Sequence, residues 1–248
     1  MSAAVDRYRV ILRRTTDWAA YLKKESRLPG PRGNLELAHA AALEGTKEFF
    51  VRHAAIDASR APENTPEVFL GFCAVLGLGR LLAEGDDRQE AALRRLAGDS
   101  RWRIREAVAT GLQIVGDANR TKLHRIARSW LRLGWLEQRA AVAAVAEPRL
   151  LAAKSSALSA LRILDRATRN LAKGGPGSRA DQVVLRQALG YAWSVVIAAA
   201  PEGKAAFRAW SESANDDVLW VVRENLGKAR LKRLDPKWCA AMEKRLHV

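Results

Sequence analysis

Apolar residues recur along this chain at helical spacing and almost nowhere alternate as strand residues do. Between proline and glycine breaks the pattern predicts helices over 5–25, 34–44, 46–57, 66–83, 88–97, 101–115, 120–133, 135–146, 154–172, 182–200, 203–213, 217–231 and 236–246. Asp99-Ser100 and Asn215-Asp216-Asp217 stand just ahead of two of these helices. Their side-chain oxygens suit them to accept from first-turn N–H groups as N-caps. LPGPRGN at 28–34 reads as a turn separating an N-terminal helix from the rest, and KGGPGSRAD at 173–181 as a flexible loop. The expected class is all-α.

The helices also repeat. RWRIREAVATGL at 101–112 and LWVVRENLGKARL at 219–231 both contain Trp-x-x-Arg-Glu, as Trp102/Arg105/Glu106 and Trp220/Arg223/Glu224. Superposing Arg105, Arg139 and Arg223 aligns three helices, the first two 34 residues apart and the third a further 84 along. Two helices per unit at a period of about 35–45 residues is the signature of a HEAT-type array, in which each repeat buries its apolar face on its neighbours. The predicted architecture is therefore a right-handed α-solenoid of HEAT-like helix pairs. It is expected to form one domain over 1–248, with degenerate repeats in 1–84 and clearer ones in 85–248.

At 100° per residue, Ile104, Ala107, Val108, Leu112 and Val115 share one side of the 101–115 helix, while Trp102, Glu106, Ala109 and Gln113 fall on the other. The 217–231 helix has the same layout, with a stripe of Val218, Leu219, Val222, Leu226 and Ala229 opposite Trp220, Glu224 and Gly227. A tryptophan opposite the core seam either packs on a neighbouring helix or lines a groove, and a glutamate one turn on reaches whatever stacks against the indole. Ala109 and Gly227 would let a bulky ligand approach the backbone. Trp135 falls on the Val142/Val145 side, where core packing is the expected role, and it is kept as a third aromatic candidate. Trp18, Trp130, Trp193, Trp210 and Trp238 read as packing residues.

Charge changes the picture. The chain has 42 Lys+Arg against 27 Asp+Glu, a net of +15, and residues 121–180 alone hold 12 basic and 3 acidic side chains. Such a field attracts polyanions, with nucleic acid ahead of an anionic membrane. Arg162, Arg166, Arg169 and Lys173 follow i, i+4, i+7, i+11 spacing and so form one row. Lys122, Arg125, Arg128 and Arg132 form a broader one, opposite Leu123, Ile126 and Trp130. Guanidinium rows match phosphate geometry and set affinity without sequence preference; a solvated outer face is the alternative. Arg105, Arg139 and Arg223 sit at the edge of the inner face, placed either to join repeats or to touch a nucleic-acid backbone.

Other chemistries find no support. Cys73 and Cys239 stand alone, and His39, His53, His124 and His247 are scattered, so neither a zinc site nor a disulfide framework is expected. There is no phosphate-binding glycine loop, Ser/His/Asp set or cysteine nucleophile, and no cofactor is expected. MSAAVDRYRVILRR lacks the apolar core of a secretory leader, and the apolar run AAVAAVA at 140–146 is far too short to cross a bilayer. A soluble, cytoplasmic, monomeric protein is the expectation, nucleoid-associated if bacterial. Any enzymatic chemistry must rest on a carboxylate beside aromatic rings. Hydrolysis of the N-glycosidic bond of a cationic, alkylated purine needs little more. The base is already a good leaving group, the carboxylate stabilises the developing sugar cation, and indole faces attract electron-poor rings.

A Trp-x-x-x-acid pair on an inner helix of a basic HEAT-like array resembles the alkylpurine DNA glycosylases of the AlkD type. The resemblance covers about 85–232, and its motif is four residues long. It implies that Trp102 and Trp220 contact the nucleotide of a damaged double-stranded DNA, that Glu106 is the catalytic acid residue, and that lesions extend to bulky adducts. In that family the acid is Asp, so Glu106 carries one extra methylene. The other function class left open is a non-catalytic HEAT-repeat scaffold for nucleic acid or an acidic protein.

Overall fold

The computed structural model describes residues 2–246, so His247 lies outside the described residues. The protein is all-α, with no strand among the described residues. It divides into two compact units, 1–118 and 119–248; the expected step at residues 84–85 falls inside the first.

Unit 1 contains α1 (Ala3–Leu12), α2 (Trp18–Lys24), α3 (Leu35–Glu44), α4 (Lys47–Ala54), α5 (Pro66–Ala83), α6 (Gln89–Ala97) and α7 (Trp102–Ala118). The predicted 5–25 helix is two helices. Asp17 caps α2 by accepting from the Ala20 N–H at 2.9 Å, and this local bond competes with continuing α1. At the centre of the unit, α5 is packed by α2, α3, α4, α6 and α7. It is long and apolar enough by composition to cross a membrane, a feature not anticipated from the 140–146 run. Burial on several sides within unit 1 is what that apolarity serves, since its residues from Val68 to Gly79 are all buried. Its own Leu76 and Leu78, and Phe50 of α4, are fully buried, each contributing about 1.5–3 kcal/mol relative to exposure.

The first helix is clamped by charge. Glu44, ending α3, accepts from Arg9 Nε at 2.6 Å and from Arg13 Nε at 2.7 Å. The hydrogen bond from Arg13 is foremost in pulling the Glu44 carboxyl down to about 2. A depressed carboxyl stabilises the fold above its unfolded value of about 4.5 and loses that contribution as pH falls toward 2. Glu44→Gln is therefore expected to lower Tm at pH 6 by about 2–4 °C, equivalent to roughly 1 kcal/mol after solvent screening. The difference from the unsubstituted protein should shrink progressively in thermal melts as pH falls from about 4.5 toward 2. An equal difference at pH 6 and pH 2.5 would refute the clamp.

Unit 2 contains α8 (Arg120–Trp130), α9 (Trp135–Val145), α10 (Lys154–Lys173), α11 (Arg179–Ala199), α12 (Gly203–Ala209), α13 (Asp216–Leu226), α14 (Ala229–Leu234) and α15 (Pro236–Arg245). The predicted 217–231 helix breaks at Gly227-Lys228, and 203–213 ends in a 3-10 turn at Trp210–Glu212. In this unit α11 packs between α9 and α13, and α10 lies against α8, α9, α11, α12 and α13. The buried Trp193 Nε1 donates to Thr168 Oγ1 at 2.9 Å, pinning α11 to α10. Buried Asn225 ties α13 to α11, donating to the Leu189 carbonyl at 2.9 Å and accepting from the Ser194 N–H at 2.8 Å.

Candidate functional site

On α7 the aliphatic seam is buried as the periodicity requires: Ile104, Ala107, Val108, Leu112 and Val115 are all at most 1% exposed. Trp102, on the other side, is 45% exposed, an unusual state for the largest apolar side chain. Trp102, Glu106 and Thr110 occupy three successive turns and line one cavity of about 270 Å³ in unit 1. Phe69 and Phe72 of α5 wall it, with Leu28 and Pro31 from the segment leading into α3 and Leu35 at the start of that helix. Ala109 is not part of this lining. It is 2% exposed, so it faces the core and Thr110 takes the place expected of it.

Two arginines flanking Trp102, Arg103 and Arg101, are ones that the sequence did not single out. Arg103 stacks its guanidinium 4.6 Å from the Trp102 ring centroid and donates to the Gly30 carbonyl at 2.7 Å and Asn64 Oδ1 at 2.9 Å. One residue thus covers an indole face and holds the 28–34 turn against α7. Arg101, 4% exposed, forms a two-pronged pair with Asp99 and donates to the Asp57 and Ala61 carbonyls, each at 3.2 Å. Arg105 turns back on the loop before its own helix, donating to the Asp99 and Ser100 carbonyls at 2.7 and 2.8 Å. That geometry gives it a structural role there. Phe69/Phe72 and Arg103 went unmarked because an i, i+3 aromatic pair in an apolar helix looks like ordinary core.

Trp220 of α13 is set differently from Trp102. It is half-buried, and a Cβ at Gly190 of α11 would come 2.7 Å from its ring, so the indole lies directly on that glycine. Arg186 covers it with its guanidinium 4.5 Å from the ring centroid and donates to Asp217 at 2.9 Å. Glu224 pairs with Lys228. Trp220 therefore packs on a neighbouring helix, with only part of its ring accessible, whereas the same Trp-x-x-Arg-Glu spacing in α7 opens onto a groove. Gly227 is exposed but follows the end of α13, and Ala229, expected in its buried stripe, is exposed at the start of α14.

Trp135 is 5% exposed and sealed by the 174–178 loop, where a Cβ at Gly177 would lie 2.9 Å from the ring. As placed, it offers no face to a nucleotide, which corrects its selection as a contact aromatic; its position on the Val142/Val145 side had pointed to the core. Gly177 is held at φ +121, a conformation that glycine tolerates and L side chains rarely adopt. Trp130 and Trp193 are buried, and Trp18, Trp210 and Trp238 half-buried.

The basic rows are where helical periodicity puts them. Arg162, Arg166, Arg169 and Lys173 are all exposed along α10, opposite buried Ala160, Ile163, Leu164, Ala167 and Leu171. Arg169 pairs with Asp165 at 2.8 Å; among the described residues Arg166 and Lys173 have no carboxylate partner. On α8, Arg125 and Arg128 are exposed, as is Arg132 just beyond it, and Lys122 is half-buried. The two helices pack together. Burial first, then Arg128, Arg120 and Arg162, push the buried His124 imidazole below its usual pKa, so the arginines of both helices share one positive region. Arg223 is exposed on α13 and Arg139 half-buried on α9.

Charge divides unevenly between the units. Residues 119–248 hold 24 Lys+Arg and 11 Asp+Glu, a net of +13, against 18 and 16 in residues 1–118. Among the described residues no group of three or more His, Cys, Asp or Glu side chains is placed to hold a metal ion. Compared with protein-family models, with curated proteins and with solved structures, the chain finds no match.

Proposed function

We propose that this chain is a double-stranded DNA-binding protein built of HEAT-like helix pairs, and that it excises alkylated purines as a monofunctional N-glycosylase. The observation carrying the enzymatic part is the unit 1 groove, where a half-exposed indole, a carboxylate one turn on and a hydroxyl one turn further line an apolar recess. Recesses lined by aromatic rings with a few convergent polar groups are where planar ligands bind. The repeat assignment draws on the side-by-side stacking of α3, α5 and α7 in one unit and of α9, α11 and α13 in the other.

In this reading Trp102 contacts the electron-poor base or its sugar. The C1′–N bond breaks with its electron pair leaving on the base, which departs neutral because alkylation had made it cationic. The Glu106 carboxylate stabilises the sugar cation and accepts a proton from the water whose oxygen bonds to C1′. Trp220 contributes a second aromatic surface in unit 2, and the exposed Arg223 of the same helix holds phosphate. A non-catalytic nucleic-acid scaffold is the second reading, favoured by the charge division: the groove lies in the nearly neutral unit and the polyanion field in the other.

Two measurements on the full chain test these readings. Duplex affinity should fall with salt at a log–log slope of about −4 or steeper, for four or more phosphate contacts. Incubation with alkylated duplex should release free base, read by chromatography. Binding without release leaves the scaffold reading, and no binding at about 50 mM salt removes both.

A further inference from the structure

Unit 2 presents nucleic-acid-like chemistry on two sides, and the contact between α10 and α11 shows that those sides are opposed. The Trp193–Thr168 hydrogen bond at 2.9 Å marks the line where the two helices face each other. Arg166 precedes Thr168 by two residues, and Tyr191 precedes Trp193 by two. At 100° per residue each points about 160° away from that line, in opposite directions. Both are exposed. On the α10 side stands the cation row, which spans about 16 Å from Arg162 to Lys173 at 1.5 Å rise per residue. That length covers the axial rise of about five phosphates on one strand. On the α11 side Tyr191 is 49% exposed, with the Arg230 guanidinium 4.7 Å from its ring centroid and Arg230 Nη2 donating to its hydroxyl at 2.9 Å. An exposed aromatic ring with a guanidinium at its hydroxyl can contact the sugar and phosphate of a duplex backbone.

Two packed helices, each about 10 Å across, separate these faces, and a stiff duplex lying on one cannot bend round to the other. We infer that the α10 row binds a second, separate segment of duplex DNA, so that one chain bridges two duplexes. This rests on the reading of the chain as a DNA-binding protein. The row suits a duplex backbone because Arg166 and Lys173 have no carboxylate to compete with phosphate among the described residues, while Arg169 is held by Asp165 and lies 5.9 Å from the Trp210 ring centroid.

The test is co-capture. A 30-base-pair duplex is immobilised and saturated with the full chain, then washed and offered a second, fluorescent duplex of the same length. The chain should capture the second duplex. A triple variant, Arg162→Gln, Arg166→Gln and Lys173→Gln, should capture less than one tenth as much while remaining on the immobilised DNA. Replacing the two arginines by lysine should preserve capture, because the row acts by charge. If the unsubstituted chain binds the first duplex and captures no second, the inference is overturned. Undiminished capture by the triple variant overturns it as well. If the unsubstituted chain does not bind the immobilised duplex at all, the DNA-binding reading itself fails, and the two failures are told apart in one experiment.

Discussion

Glu106→Gln is expected to slow release of free base from alkylated duplex by about 100-fold or more while leaving duplex affinity within a factor of two or so, since removing one preorganised electrostatic contact to a developing charge costs about 2.7–4 kcal/mol of barrier. The substitution keeps the size and the hydrogen-bonding outline of the side chain and removes only its negative charge. Affinity is spared because the excess cations lie in unit 2. Glu106→Asp should fall in between: the carboxylate retreats by one methylene along the same helix face but remains an anion beside Trp102. This ordering, Glu then Asp then Gln, is what a charge-stabilising role demands. Equal activity in all three proteins, measured in single-turnover base release, would remove Glu106 from the chemistry even if the activity itself were real.

How far the site could be read from sequence depends on the range of the interactions that build it. Trp102 and Glu106 share a face because they belong to one helix, and the seam of Ile104, Val108 and Leu112 fixes which face is left over. The α10 cation row was legible for the same reason. The opposite wall of the groove was not. Phe69, Phe72 and Leu28 meet Trp102 only through tertiary packing, and nothing local to them signals that meeting. Trp220 shows the limit most clearly. Its motif matches that of Trp102, but Gly190 on the neighbouring helix decides that its ring lies down on α11. Helix breaks at 13–17 and 227–228 were missed because a single side-chain cap or glycine can outweigh an apolar period that continues through it. The two sides of unit 2 become distinguishable only once Trp193 and Thr168 are seen to touch.

The largest stability effect is expected where α5 meets α7. Gly79 of α5 and Gly111 of α7 let the two backbones meet: a Cβ at Gly79 would lie 2.5 Å from both the Cα and the carbonyl oxygen of Gly111. Main chain cannot swing aside as a flexible side chain can, so Gly79→Ala must push the helices apart. Overpacking of this kind costs about 1–3 kcal/mol, beyond the advantage of roughly 0.5–1 kcal/mol that alanine holds over glycine inside a helix. A Tm lower by about 4–8 °C is expected for a chain of this size if the net cost is near 2 kcal/mol. Gly111→Ala should be milder, because its Cβ would meet the Val75 carbonyl oxygen at 3.2 Å and Gly79 Cα only at 3.6 Å. Since α5 carries Phe69 and Phe72 while α7 carries Trp102 and Glu106, separating the helices also moves the groove walls. Gly79→Ala should therefore change the emission of the half-exposed Trp102, compared against a Trp102→Phe background to isolate that ring. A Gly79→Ala protein as stable as the unsubstituted chain would show that α5 and α7 do not cross at this glycine contact, and the groove geometry built on that crossing would fall with it.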